Sequence, residues 1–254
     1  MSICLLVGHG KGNSGAYDPG ATCKSYHEFK IAREIAKHAA AHYMENYKED
    51  CSLLNYSGNL NLSERIKEVN KNNFDFIAEI HLNAGGGTGS EVYYSKGNKD
   101  GQTAAALISD SIAFTFDIKN RGAKTKLNAQ GKDYFGIIRQ TKPTAVLIET
   151  VFIDSSDLEK VKTASGQKAC GIAISKAIAK ARGVKEKAKS SSLVIGDKVE
   201  LLPDATYYDG KALPQWLYNS TLYVRSISGD RVVISTVKSG AVTGAVKMEY
   251  LKKV

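Results

Sequence analysis

Residues 145–153 read AVLIETVFI, and this run decides the fold class. Apart from Glu149 and Thr150 it is apolar, which is typical of a strand in a parallel sheet with both faces buried. The pattern predicts a strand at 145–149. Similar short runs predict earlier strands at residues 3–7, 51–55, 76–81 and 91–94.

Helical periodicity separates these strands. Apolar residues recur at spacings of three and four along residues 28–47, 62–70, 103–116 and 165–181. Strands that alternate with such helices predict an α/β fold, with a mostly parallel twisted sheet flanked by helices on both faces. Ligands of these sheets bind beyond the carboxyl ends of the strands, so functional residues are expected at that edge.

The chain changes character near residue 184. Residues 184–193 are rich in lysine and serine and lack apolar periodicity, which predicts a linker. Beyond them come short alternating runs broken by glycine, which are typical of an all-β domain. We therefore predict an α/β domain at 1–183, a linker at 184–193 and a small all-β barrel at 194–254.

Composition excludes several classes of protein. The 254 residues are 43% hydrophobic and carry 35 Lys+Arg against 26 Asp+Glu, a net charge of +9. The basic residues form no stripe interleaved with aromatics, so no nucleic-acid partner is expected. No run approaches the roughly 18 apolar residues of a membrane span, so no stable membrane insertion is expected. The four cysteines form no C-x-x-C pair, which favours reduced, packed thiols.

Three predicted strands end on residues that bind metals or transfer protons. The first leads into His9, the third ends at His81 and the fifth ends at Glu149. Glu28 lies in the first turn of the helix after the first strand, which returns it to the same edge. Two neutral imidazoles and one carboxylate form the ligand set of one class of catalytic zinc site. A second carboxylate close to the metal serves such a site as general base.

Structural interpretations of these residues are also open. Ser25-x-x-Glu28 fits a capping box, in which Glu28 only starts a helix. His9 and His81, each taken singly, fit hydrogen-bonded core histidines. Glu149 differs, because a buried unpaired carboxylate costs several kcal/mol, and a cationic group is expected beside it. The other histidines are interpreted as surface or packing residues: His27, His38 and His42.

Several separate motifs follow one another along residues 1–181. They are LVGHG at 6–10, DPGA at 18–21, Glu28, EIHLNA at 79–84, GSEVYY at 89–94, NRGA at 120–123 and PTAVLIETVF at 143–152. With these motifs the segment resembles the zinc-dependent N-acetylmuramoyl-L-alanine amidases (amidase type 3) of bacterial autolysins and phage endolysins. The resemblance implies that Zn²⁺ is bound by His9, Glu28 and His81, and that Glu149 is the catalytic carboxylate.

The sequence departs from the family pattern at two places. The family usually opens with Asp-Pro-Gly-His-Gly-Gly, whereas here the histidine follows Leu-Val-Gly and the Asp-Pro-Gly at 18–20 comes after a loop at 11–17. Asp154 stands where asparagine is common in the family. The implied metal ligands are unchanged.

The resemblance implies a peptidoglycan hydrolase that uses a zinc-activated water. The bond cut is the amide between the lactyl group of N-acetylmuramic acid and the L-alanine of the stem peptide. Asn83, two residues beyond His81, either binds the substrate or fixes the loop. Two rival functions are a zinc peptidase that cuts within the stem peptide and a catalytically inactive wall-binding protein.

Residues 194–254 resemble bacterial SH3-like cell-wall-binding domains. Their aromatic residues either contact a wall polymer or form the core of the barrel. These residues are Tyr207, Tyr208, Trp216 and Tyr223. The basic surplus favours approach to an anionic wall, so peptidoglycan and wall polymers are the expected partners. No oligomeric state is predicted.

The first residues, MSICLLV, fit a strand and show no basic leader or cleavage site. We therefore expect a protein made in the bacterial host cytoplasm without a signal peptide, which acts on the cell wall after release. This expectation favours a phage endolysin over a host autolysin.

Overall fold

The computed structural model describes residues 2–187 and 193–254. The chain divides into two compact units, Met1–Lys187 and Ala188–Val254. No helix among the described residues is long and apolar enough to cross a bilayer.

The predicted linker at 184–193 falls partly outside the described residues, which omit 188–192. Its beginning packs on the first unit, because the backbone N–H of Lys187 donates to the carbonyl of Asn46 at 2.7 Å. The first unit therefore extends beyond the predicted boundary at residue 183.

Strands and helices alternate along the first unit. The strands are β1 (Ser2–Val7), β2 (Gly10–Lys11), β3 (Tyr17–Asp18), β4 (Thr22–Cys23), β5 (Tyr26–His27), β6 (Asp50–Leu54), β7 (Phe76–Asn83), β8 (Ser90–Tyr94), β9 (Asn120–Lys124) and β10 (Thr144–Phe152). The helices are α1 (Glu28–Asn46), α2 (Leu62–Lys71), α3 (Lys99–Phe116), α4 (Gly136–Gln140), α5 (Leu158–Val161) and α6 (Ala164–Ala181). Helix α3 begins earlier than predicted because the side chain of Asn98 caps it, accepting from Gly101 N at 2.8 Å.

The central sheet has the strand order β6-β1-β7-β10-β8-β9. The first four of these strands run parallel, whereas β8 is antiparallel to β10 and parallel to β9. The connection from β7 to β8 spans only residues 84–89, which is too short for the crossover that a parallel strand requires. The predicted α/β fold is confirmed, and four of the five strand pairings are parallel as expected, but the sheet is mixed because β8 and β9 run opposite to the other four strands.

Helices cover both faces of this sheet. Residues of β1 alternate between two cores: Ile3 and Leu5 pack with α1, α3 and α6, whereas Cys4 and Leu6 pack with α2 and α4. Because β1, β7 and β10 are parallel neighbours, their carboxyl ends meet at one edge between these two layers.

The second unit is an antiparallel sheet with the strand order β14-β13-β12-β11-β15. Its elements are β11 (Lys198–Leu201), α7 (Gln215–Tyr218), β12 (Leu222–Ser228), β13 (Arg231–Ser235), β14 (Gly244–Lys247), a 3-10 helix (Met248–Tyr250) and β15 (Leu251–Lys253). Alternate residues such as Leu222, Val224, Val232 and Ile234 form its own buried core.

Candidate metal centre

His9 lies two residues beyond the end of β1 and has a backbone φ of 62°, in the left-handed region. Few residues other than glycine adopt this conformation. Hydrogen bonds from Asn55 stabilise the backbone of His9 in it. The Nδ2 of Asn55 donates to the carbonyl oxygens of Val7 and His9, both at 2.8 Å. The preceding residue is Gly8, where any Cβ would overlap the imidazole of His81. This glycine lets the two histidines approach each other.

Glu28 is the first residue of α1, which has His27 as its N-cap and no side-chain cap. The capping-box interpretation of Glu28 is therefore wrong, because that motif places the glutamate at the third helical position. Its carboxylate is held instead by backbone groups. Oε2 accepts from Ala21 N at 2.7 Å, and Oε1 accepts from Leu82 N at 3.1 Å.

These three side chains converge on one point. Glu28 Oε1 lies 2.8 Å from His81 Nδ1 and 3.3 Å from His9 Nε2. One nitrogen or oxygen atom from each residue lies within 4.8 Å of the others. Two imidazole nitrogens and a carboxylate oxygen so placed can hold a metal ion such as zinc.

The second nitrogen of each imidazole also faces a carboxylate. His9 Nδ1 lies 2.8 Å from Asp18 Oδ2, and His81 Nε2 lies 3.1 Å from Glu79 Oε2. Such outer partners orient histidine ligands in metal sites. Asp18 belongs to the Asp-Pro-Gly motif, which lies nine residues after His9 in this sequence instead of directly before it. In the folded chain Asp18 nevertheless contacts His9.

Charge coupling shifts the pKa values of all three side chains. Burial disfavours the Glu28 carboxylate, yet hydrogen bonds from His81 and His9 hold its pKa well below the ordinary range. Burial also opposes charge on His81, but its hydrogen bonds to Glu28 and Glu79 raise its pKa well above the ordinary 6.5. The pKa of His9 is raised as well, by Glu28 and Asp18 against the effect of burial.

Glu149 pairs in register with His81, across β10 and β7. Its Oε2 is buried and has no hydrogen-bond partner among the described residues. Burial, with repulsion from Glu28 and Glu91, raises the pKa of Glu149 to about 7 against the attraction of the two imidazoles. A cationic group was expected beside this carboxylate. The imidazoles of His81 and His9 are that group, and they attract Glu149 electrostatically without a direct hydrogen bond.

These residues line one cavity of about 540 Å³. His9, Glu28, His81 and Glu149 form one part of its wall. Another part is apolar and consists of Leu62, Phe135, Ile137 and Leu147.

Asn83 also lines this cavity. Its Nδ2 donates to Glu91 Oε1 at 2.8 Å, and its Oδ1 accepts from Ala84 N at 2.8 Å. Glu91 is buried and receives further hydrogen bonds from Arg121 Nε at 2.5 Å and from Lys124 Nζ at 2.6 Å. These contacts fix the start of the loop between β7 and β8. Because Asn83 also lines the cavity, a role in substrate binding is compatible with its position.

The remaining histidines lie elsewhere. His42 Nδ1 lies 2.9 Å from Ser175 Oγ, and His27 is the N-cap of α1. Neither they nor His38 join the metal-ligand cluster of the described residues. Asp154 Oδ2 accepts hydrogen bonds from the backbone N–H groups of Gly85 and Gly86, so Asp154 anchors the loop between β7 and β8.

Known proteins are similar to this chain in sequence and in fold. A family model described as N-acetylmuramoyl-L-alanine amidase matches residues 3–180. The sporulation-specific N-acetylmuramoyl-L-alanine amidase of Bacillus subtilis (strain 168) is 31% identical over 169 residues, which cover 65% of this chain and 62% of that protein. The endolysin of Bacillus phage SPP1 is 28% identical over 163 residues, which cover 61% of this chain and 56% of that protein.

A solved structure gives the same result. The catalytic domain of the CD27L endolysin targeting Clostridia Difficile matches with a TM-score of 0.57 and 28% identity, over 71% of this chain and 97% of that domain. The chain spans less than two thirds of the two curated relatives, whereas the family model covers most of the first unit. The chain therefore belongs to the N-acetylmuramoyl-L-alanine amidase family.

Proposed function

We propose that this protein is a zinc-dependent peptidoglycan hydrolase that cleaves the amide bond between N-acetylmuramic acid and the L-alanine of the stem peptide. One observation carries the proposal. Glu28 Oε1 lies within 3.3 Å of a nitrogen of both His9 and His81, and Glu149 lines the same cavity.

His9, Glu28 and His81 fit Zn²⁺ by the chemistry of their donor atoms. In addition, Asp18 and Glu79 are placed to orient the two imidazoles. Zinc bound there would polarise the scissile carbonyl and lower the pKa of a bound water to about 7.

Glu149 is proposed as the proton-transfer group. Its carboxylate takes a proton from the attacking water and delivers it to the nitrogen of the departing L-alanine. The carbon–nitrogen bond breaks, the lactyl carbonyl becomes a carboxylic acid and the stem peptide leaves with a free amino group. In the metal-free protein, burial raises the pKa of Glu149 toward neutral pH, and general acid–base catalysts work best near the pH of the reaction.

The cavity suggests how the substrate is held. The wall formed by Leu62, Phe135 and Ile137 can take apolar parts of the lactyl-peptide, while Asn83, which lines the same cavity, offers a polar contact. Asn83 is therefore proposed as a substrate-binding residue.

The second unit is proposed as an SH3-like domain that binds the cell wall, with peptidoglycan or another wall polymer as its partner. Tyr208 and Trp216 are 41% and 54% exposed, which supports a role for these rings in contacting a polymer. Tyr207 instead packs against the core of that unit. The similarity to a phage endolysin supports a role in host lysis, with action on the wall after release.

Analysis of the new chemical termini of digested peptidoglycan tests this function. The proposal predicts glycan strands whose muramic acid carries a free lactyl carboxylate, together with stem peptides that begin with L-alanine. A peptidase would leave alanine attached to muramic acid, and this product would refute the amidase assignment. An inactive wall-binding protein would release neither product. A chelator should stop the digestion, and added zinc should restore it.

A further inference from the structure

Glu79 is a buried carboxylate that the proposed reaction does not use. It lies on β7, two residues before His81, and only 1% of it is exposed. Its neighbours in register are apolar: Leu6 on β1 and Leu147 on β10. A charge in such surroundings costs several kcal/mol unless it is paired and hydrogen-bonded, so its partners should explain its presence.

Both oxygens of Glu79 have partners. Oε1 accepts a hydrogen bond from Arg65 Nε at 2.8 Å, and Oε2 lies 3.1 Å from His81 Nε2. Arg65 belongs to α2, is also buried and keeps its positive charge at all ordinary pH values. An ionised carboxylate only accepts hydrogen bonds, so His81 Nε2 carries a proton and donates it.

Both nitrogens of His81 face carboxylates, and a metal ion in the centre would take the place of the Nδ1 hydrogen that faces Glu28, so the Nε2 hydrogen bond to Glu79 is the one that remains. A neutral imidazole carries one N–H, and with that hydrogen on Nε2 the lone pair is on Nδ1. Nδ1 is the atom that lies 2.8 Å from Glu28 Oε1, in the candidate metal centre. Glu79 therefore favours the tautomer and the ring orientation that metal binding by His81 requires.

Arg65 also reaches the segment of the other histidine. Its Nη1 donates to the carbonyl oxygen of Leu60 at 3.1 Å and to that of His9 at 3.4 Å. The backbone of His9 is left-handed, and its carbonyl oxygen accepts hydrogen bonds from both Asn55 and Arg65. One guanidinium thus contacts the backbone of His9 and, through Glu79, the ring of His81.

We propose that Arg65 and Glu79 are positioning residues that fix His81 as an Nδ1 ligand and hold both imidazoles ready for the metal ion. The inference rests on the proposed zinc-dependent function. Glu79 touches neither substrate nor ion in this role and acts only through His81.

The affinity of the full chain for Zn²⁺, measured by competition with a chromophoric chelator, tests the proposal. Glu79→Gln keeps the size of the side chain but removes the obligate acceptor, and it should weaken zinc binding by about 10–100-fold. Glu49→Gln is the matched control. Glu49 is another buried carboxylate, hydrogen-bonded by Arg182 Nε at 3.0 Å and by Tyr43 OH at 2.6 Å, and it does not line the cavity. This control should lose stability and keep its zinc affinity.

A second readout reports the tautomer directly. In the zinc-loaded protein labelled with ¹⁵N-histidine, NMR should show a slowly exchanging Nε2–H of His81. That proton should exchange quickly, or the tautomer should change, in Glu79→Gln. Arg65→Lys keeps the positive charge but not the planar guanidinium group. It should also weaken zinc binding, but less than Glu79→Gln does.

The outcomes separate the interpretations. Wild-type zinc affinity together with an unchanged Nε2–H signal in Glu79→Gln would overturn the proposal, and so would an equal loss of zinc affinity in Glu49→Gln. If Glu79→Gln does not fold, the same two measurements on Arg65→Lys decide. The zinc affinity is measured without any hydrolysis, so the two proposals can fail separately. If the variants change the zinc affinity as expected but the protein cuts no peptidoglycan, only the proposed function is refuted.

Discussion

Glu149 lies directly opposite His81 in the parallel pairing of β10 with β7, and its buried Oε2 has no hydrogen-bond partner among the described residues. Buried polar atoms are nearly always hydrogen-bonded, and strongly shifted pKa values cluster at functional sites. The pairing therefore brings a carboxyl group able to exchange protons near pH 7 next to a candidate metal ligand.

Replacing this carboxyl group should stop catalysis without removing the metal. We expect Glu149→Gln to lower the rate of wall lysis by about 10²–10⁴-fold, the contribution of a positioned general base. Zinc content should stay the same, because Glu149 is outside the ligand cluster. Loss of turbidity of a wall suspension measures the rate. Glu159→Gln, at a carboxylate whose side chain is 64% exposed, is the control, and an undiminished rate in Glu149→Gln would contradict the assignment.

The same substitution should change how stability depends on pH in the metal-free protein. Burial raises the pKa of Glu149 from 4.5 to about 7, so between these pH values the folded state binds more protons than the unfolded state. Stability therefore falls as pH rises through this window. Glu149→Gln avoids this loss and should gain about 3 kcal/mol on the wild type between pH 4 and pH 8, because each unit of pKa shift corresponds to about 1.36 kcal/mol. Urea unfolding at both values measures it, and a difference that is independent of pH would count against the raised pKa.

Zinc binding should release protons at neutral pH. Hydrogen bonds to Glu28 and Glu79 outweigh burial and raise the pKa of His81 well above 6.5, so the metal-free imidazole carries a proton on each nitrogen. An imidazole ligand must be neutral, so zinc affinity should fall as the pH is lowered. Calorimetry in two buffers of different ionisation enthalpy counts the protons released. Equal heats in the two buffers would show that the histidines are already neutral.

Local sequence patterns were sufficient for the main strands and helices of the first unit, because buried strands and amphipathic helices have different apolar periods. They also placed His9, His81 and Glu149 near the carboxyl ends of strands, although β7 runs on past His81 to Asn83 and β10 runs on past Glu149 to Phe152. The direction of β8 was not predicted, because it depends on the six residues between β7 and β8 rather than on the strand itself. Boundaries were less accurate where a side chain such as that of Asn98 caps a helix.

The partners of the histidines were missed for a different reason. Arg65 and Glu79 meet across 14 residues of sequence, and such a pairing becomes visible only in the folded chain. A signal was nevertheless present. Glu79 interrupts an apolar strand and shares a strand face with His81, so the argument that singled out Glu149 applies equally to Glu79.

Wall binding should depend on the exposed aromatics of the second unit. We expect Tyr208→Ala and Trp216→Ala to reduce sedimentation of the protein with purified wall sacculi. Thermal stability should hardly change, because exposed substitutions usually shift it by no more than about 0.5 kcal/mol. Cleavage of a soluble muropeptide should also be unaffected. Val242→Ala, at a residue 59% exposed, is the control, and unchanged sedimentation of both aromatic variants would exclude these rings from the wall contact.

Anomalous X-ray scattering at the zinc edge, from crystals of the zinc-loaded protein, tests the central claim most directly. We predict a single strong peak about 2.0–2.2 Å from His9 Nε2, His81 Nδ1 and an oxygen of Glu28. A peak bound by other residues, or no peak at these three side chains after saturation with zinc, would contradict the account.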